Sequence, residues 1–170
     1  MSDDPRTRDE LLAAMRQGAC PLCVLVERIE RRAVDHFLYD QVNDIGRRDA
    51  LRASRGLCLE HTAMLAEGRS ALGVAILSRD ILRAMTGELE AAGRGEAGLG
   101  WLRGRLGGAG VGAQLAARQA AIWRRVEAAL DEFIRKHDHR FQGEVFEEER
   151  DVWRRALRAT SGWYEPKDER

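Results

Sequence analysis

The chain has 170 residues, with 28 Lys+Arg against 28 Asp+Glu, so its formal charge is zero. That length suits one ordinary domain or two small halves sharing a core. With 33% charged and 44% hydrophobic residues the balance is globular, which argues against a disordered chain, and zero net charge argues against a general binder of nucleic acid or anionic membrane.

Ala, Leu, Arg and Glu dominate while β-branched residues are sparse, favouring helix almost throughout. Thr7, with Glu10 three residues on, reads as a capping box opening a short helix that ends at Gly18. Pro21 suits the first turn of a second helix. Its apolar positions, from Leu22, Leu25, Val26 and Ile29 to Phe37 and Leu38, form a stripe running to about Val42. Asn43-Asp44 breaks it, and Asp44 can cap a helix through Leu51 that ends at Arg55-Gly56. A short helix follows over about Cys58–Glu67. After Gly68 and Ser70 comes a long one carrying Leu72, Ala75, Ile81, Leu82 and Leu89. Nine of the 17 glycines fall in residues 93–112, which read as a flexible linker. Ala113 to about Arg140 reads as one long helix, and roughly Glu144–Ala159 as the last. No segment sustains a period of two. The expected fold is an all-α multi-helix bundle, with halves 1–92 and 113–170 packed together across the linker 93–112.

The acidic start Met1–Pro5 leads into no apolar run of signal-peptide length. Ala71–Leu77 stops at Arg79 and Asp80, short of the ~20 residues needed to span a bilayer. A soluble cytoplasmic protein is expected. Thiols stay reduced there, so clustered cysteines suggest ligands or redox groups more than disulfides. The chain has three: Cys20, Cys23 and Cys58.

Those cysteines carry the informative pattern. C-P-L-C at 20–23 is followed by G-L-C-L-E-H at 56–61, which as ligands is C-x2-C, then C-x2-H. Cys20, Cys23, Cys58 and His61 make a complete tetrahedral set for zinc, both pairs being at chelating spacing. Cys20 and Cys23 straddle a helix N-terminus, whose partial positive charge favours the thiolate. Three alternatives stay open: cysteines buried as small hydrophobes, a dithiol without metal, and an iron–sulfur cluster held by three Cys and one His. With four protein ligands a zinc site is closed and structural, and such sites supply about 10–16 kcal/mol of apparent binding energy to folding.

At these residues the chain resembles an uncharacterised bacterial family of helical proteins, a domain of unknown function. Its members carry C-P-x-C, then F/L-L-Y-x-x-V-N-D, then G-x-C-x-x-H. The matches here are Cys20–Cys23, Phe37–Asp44 and Gly56–His61, and the similarity continues through L-G-V-A-I-L at 72–77. The resemblance covers about the first 90 residues and brings no established activity. Many members look as though they hold a second motif set in the C-terminal half, which this chain lacks. A-L-R-A-S-R-G at 50–56 nevertheless recurs as A-L-R-A-T-S-G at 156–162, and D-H-F-L at 35–38 resembles D-E-F-I at 131–134. On that alignment Tyr164 replaces Cys58 and Lys167 replaces His61, so the C-terminal half can be read as a degenerate, metal-free repeat.

Other signals carry less. G-R-G-E-A-G at 93–98 follows a helix, where a dinucleotide fingerprint must follow a strand. His137 and His139 read as solvated helix-end residues, and Trp101, Trp123, Trp153 and Trp163 as packing anchors. Cys58 and His61 could serve as nucleophile and base, yet no oxyanion donors or orienting acid stand out. The expected function is a non-enzymatic, zinc-stabilised protein that contacts another protein, with neither nucleic acid nor membrane as partner. An iron–sulfur or thiol-based responsive module is the alternative, and a cysteine-dependent enzyme the third reading.

Overall fold

A computed structural model describes residues 5–16, 18–68, 70–94, 109–141 and 143–162. Every regular element among them is helical: α1 (Pro5–Arg16), α2 (Pro21–His36), a π-helical turn (Phe37–Gln41), α3 (Ile45–Ala53), α4 (Leu59–Glu67), α5 (Ala71–Arg94), α6 (Ala109–Lys136), a 3-10 turn (His139–Phe141) and α7 (Val152–Ser161). No helix among the described residues is long and apolar enough to cross a membrane.

Local chemistry accounts for most of the boundaries. α1 starts at Pro5, ahead of the Thr7 cap expected from sequence, because the ring of proline presets φ for a first helical turn. It ends where Gly18 takes φ 71° and Ala19 N–H reaches back to the Ala14 carbonyl, a left-handed close that glycine permits without strain. Asp44 caps α3 as expected, its carboxylate accepting from the Arg47 N–H at 2.9 Å. The glycine-rich stretch stops neither neighbour: α5 runs through Gly93 to Arg94, and α6 already contains Gly110 and Gly112. Between these ends, residues 95–108 lie outside the described residues. The last helix begins at Val152 and not near Glu144, because Lys136 draws the preceding segment into turns. Its ammonium donates to the Val145 carbonyl at 2.8 Å and to Glu149 at 2.5 Å.

α5 is the centre of the molecule. Val74, Leu77 and Ile81 pack against Val34, Leu38, Leu51, Leu65 and Leu157 in one cluster. Ala75 and Leu82, on its other side, pack with Leu130, Phe133, Val152 and Ala156 in a second cluster. The two halves expected from sequence therefore share α5, which lies along α6 and α7. Arg83 bridges Glu127 at 3.0 Å and Asp131 at 2.5 Å, and Arg124 meets Glu90 at 2.8 Å, pinning α5 to α6. Asp80 is buried but neutralised by Arg48 of α3 at 2.5 Å.

The Phe37–Asp44 motif has a packing role. Leu38, 1% exposed, enters a recess floored by Gly68 and Gly73. A Cβ on Gly73 would lie 2.8 Å from Ser70 Oγ and 3.1 Å from the Leu38 carbonyl oxygen, so no larger residue fits without movement. The similar segments 50–56 and 156–162 both close a helix, and Leu51 and Leu157 meet in one cluster. Tyr164 and Lys167 lie outside the described residues.

Candidate metal centre

The four expected ligands stand at the starts of two helices. Cys20 precedes Pro21 as the N-cap residue of α2, with Cys23 in the first turn. Cys58 is the N-cap of α4 and His61 completes its first turn. Both caps are extended, with ψ 115° at Cys20 and 164° at Cys58, which turns each chain sharply into its helix. All three cysteines are free and exposed. The alternative of cysteines buried as core hydrophobes is thereby set aside.

Each pair is formed. Cys58 Sγ lies 3.0 Å from His61 Nδ1. The His61 backbone N–H and then its ring pull the Cys58 thiol below its ordinary pKa, and the sulfur raises that of His61 in return. Each partner thus favours the charged form of the other. Cys20 and Cys23 are hydrogen-bonded to each other: the backbone N–H and thiol of Cys23 lower the pKa of Cys20, and the Cys20 sulfur raises that of Cys23. A metal would take all three thiols as thiolates and His61 as neutral imidazole, so binding at this donor set would release protons.

α2 and α4 pack against each other, joined by Arg31 and Glu67 at 2.5 Å. Glu30 of α2 also bears electrostatically on His61. Among the described residues, however, no three His, Cys, Asp or Glu side chains are gathered as a metal-binding cluster. The donors stand as two half-sites. Sulfur and imidazole nitrogen are the right donors for zinc, and each half-site could chelate; a four-donor site needs the halves brought together.

The arginines on the surrounding helices are mostly engaged. Arg48 meets Asp80, Arg52 meets Asp49, Arg55 meets Glu88 at 3.0 Å and Arg124 meets Glu90. His36 pairs with Asp40 at 2.6 Å on the exposed side of the π-helical turn. His137 donates from Nδ1 to the Phe133 carbonyl at 2.8 Å, and its ring lies tilted against Phe133 and Phe146 at 4.3 and 5.0 Å. His137 is exposed just past the end of α6, as expected for a helix-end residue.

A family model matches residues 11–99, a span that contains both half-sites, the π-helical turn and the Gly73 recess. The chain belongs to the family of unknown function DUF6062. Outside the matched DUF6062 span lie α6 and α7. An uncharacterised 23.9 kDa protein from the xynA 3′ region of Caldicellulosiruptor sp. (strain Rt8B.4) is 33% identical over 73 residues, 43% of this chain. The match spans only 36% of that relative's length. No solved structure matches the chain.

Proposed function

We propose that this DUF6062 member is a non-enzymatic, metal-binding protein in which Cys20, Cys23, Cys58 and His61 hold one zinc ion and the outer helix faces contact another protein. The observation that carries the reading is the pair of exposed half-sites, each formed in the first turn of a helix, on helices that pack together. Three thiols and one imidazole favour zinc over hard, oxygen-seeking cations. A reducing compartment such as the cytoplasm keeps such thiols available.

Elemental analysis with an absorption spectrum of anaerobically prepared protein tests it. One zinc per colourless chain is expected. Iron, sulfide and visible absorption would replace zinc with the iron–sulfur reading, and a metal-free protein that takes up no zinc would end both. Replacing Cys58 by Ser should lower metal content and melting temperature together.

The 3.0 Å Cys58–His61 contact favours a second reading, a thiol-reactive site, because an adjacent imidazole activates a sulfur nucleophile. Alkylation of metal-free protein by iodoacetamide at neutral pH decides this. Cys58 reacting no faster than an ordinary thiol would remove it.

A further inference from the structure

We infer that zinc binding swings the free end of the α1–α2 hairpin onto α4, so that the ion sets the hairpin's position while the α5-centred core stands without it. The inference rests on the zinc reading and adds to it what the metal moves.

The two half-sites are mounted differently. Cys58 and His61 are fixed to the core, since Thr62 (2% exposed) and Leu65 (5%) hold α4 in place. Cys20 and Cys23 ride on a lever. α2 has one buried side chain, Val34, in its last turn. Its first turns present Leu22, Val26 and Ile29 to solvent, at 69%, 52% and 63% exposure. α1 moves with it, because Glu10 joins Arg28 at 2.7 Å and Arg32 at 3.2 Å.

The joint lies at the other end, where Arg31 meets Glu67 and Leu38 fills its glycine recess. The π-helical turn Phe37–Gln41 follows directly, and its entry shows a shared bond: the Phe37 N–H reaches both the Ala33 and Val34 carbonyls. Such a turn is a natural place to adjust a helix direction. From Val34 back to Cys23 is about 16 Å at ~1.5 Å per residue, so a small rotation at the joint is amplified at the thiols. None of the four donors belongs to either core cluster, so the swing leaves both intact. Leu22 sits between the moving cysteines, and Leu59 (57% exposed) follows Cys58. Both should lose exposure on closure.

Hydrogen exchange read by mass spectrometry on the full chain, metal-free and with one equivalent of zinc, tests this, with bound zinc measured on the same samples. Zinc should slow exchange at least tenfold in residues 20–30 and 58–62 and leave buried α5 and α6 amides unchanged. The C20S/C23S double variant should keep the metal-free pattern when zinc is added. One zinc bound per chain with unchanged exchange in 20–30 overturns the swing alone. So does slowing that spreads equally through α5, α6 and α7, which would make the metal a requirement of the whole fold. Half an equivalent per chain with a doubled mass would instead assign the site to two copies and overturn it. No bound zinc defeats the inference together with the zinc reading.

Discussion

The α5–α6–α7 layer and the α1–α2 hairpin are both helical, yet they are held by different means. In the layer, Leu82, Leu130, Val152 and Ala156 are wholly buried, and carboxylate–guanidinium pairs run along the α5–α6 contact. Among the described residues of the hairpin only Ala14 and Val34 are buried, while five of its large apolar side chains, Leu12, Met15, Leu22, Val26 and Ile29, are exposed. Burial of apolar area is the main source of folding free energy. Stability therefore resides in the layer, and the Cys20–Cys23 half of the proposed donor set sits where the chain contributes least to it. That division allows a site to gain or lose a ligand without the fold being lost.

The largest effects should come from the layer. Leu130→Ala leaves a cavity between α5, α6 and α7, and is expected to cost about 2–5 kcal/mol in denaturant unfolding. A loss under 1 kcal/mol would mean this layer is not the stabilising one. Acid should loosen the same region. Lys136 holds Glu149 down at about 2, below its unfolded value, so the stabilisation is complete above the unfolded pKa and fades as pH falls from about 4.5 towards 2. Melting temperatures of wild type and Glu149→Gln should converge across that window.

A smaller effect is expected at the junction between the regions. Gly73→Ala forces a methyl against Ser70 Oγ and the Leu38 carbonyl, and overpacking of this kind costs about 1–3 kcal/mol. Smaller again, Asp44→Ala removes the cap of α3 and should cost about 1 kcal/mol. Loss of helicity near α3 without change in the α5–α6 layer would be its signature in hydrogen exchange.

These residues also show what could be read from sequence. Asp44, Gly18 and the adjacency of Cys58 and His61 were legible because each feature is decided within one or two turns. At the ends of the 93–112 stretch the glycines did not mark the helix boundaries, because propensity is a weak prior: Gly93 stays helical, and a Cβ added there would meet that of Ala116 at 3.8 Å. The start of α7 was hidden for a similar reason, since Lys136 and Glu149 are distant in sequence. The α2 stripe was real as a periodicity, but a period identifies a face and cannot say what covers it. Val34 and Leu38 found the core, whereas Leu22, Val26 and Ile29 did not. The distance between the half-sites was equally out of reach, because it depends on how α2 lies across α4.

The smallest expected effect sharpens the comparison most. Leu22→Ala in metal-free protein truncates a side chain that is 69% exposed, so its stability change should fall within about ±0.5 kcal/mol. With zinc bound the same substitution should matter more, because closure would bring Leu22 against the first turn of α4 and out of water. A double comparison, wild type and Leu22→Ala, each unfolded with and without zinc, isolates that difference from any intrinsic change in helix propensity. Ile29→Ala gives the control, being as exposed as Leu22 at 63% but farther from the donors. Equal effects of zinc on both variants would mean that the hairpin does not move with the metal.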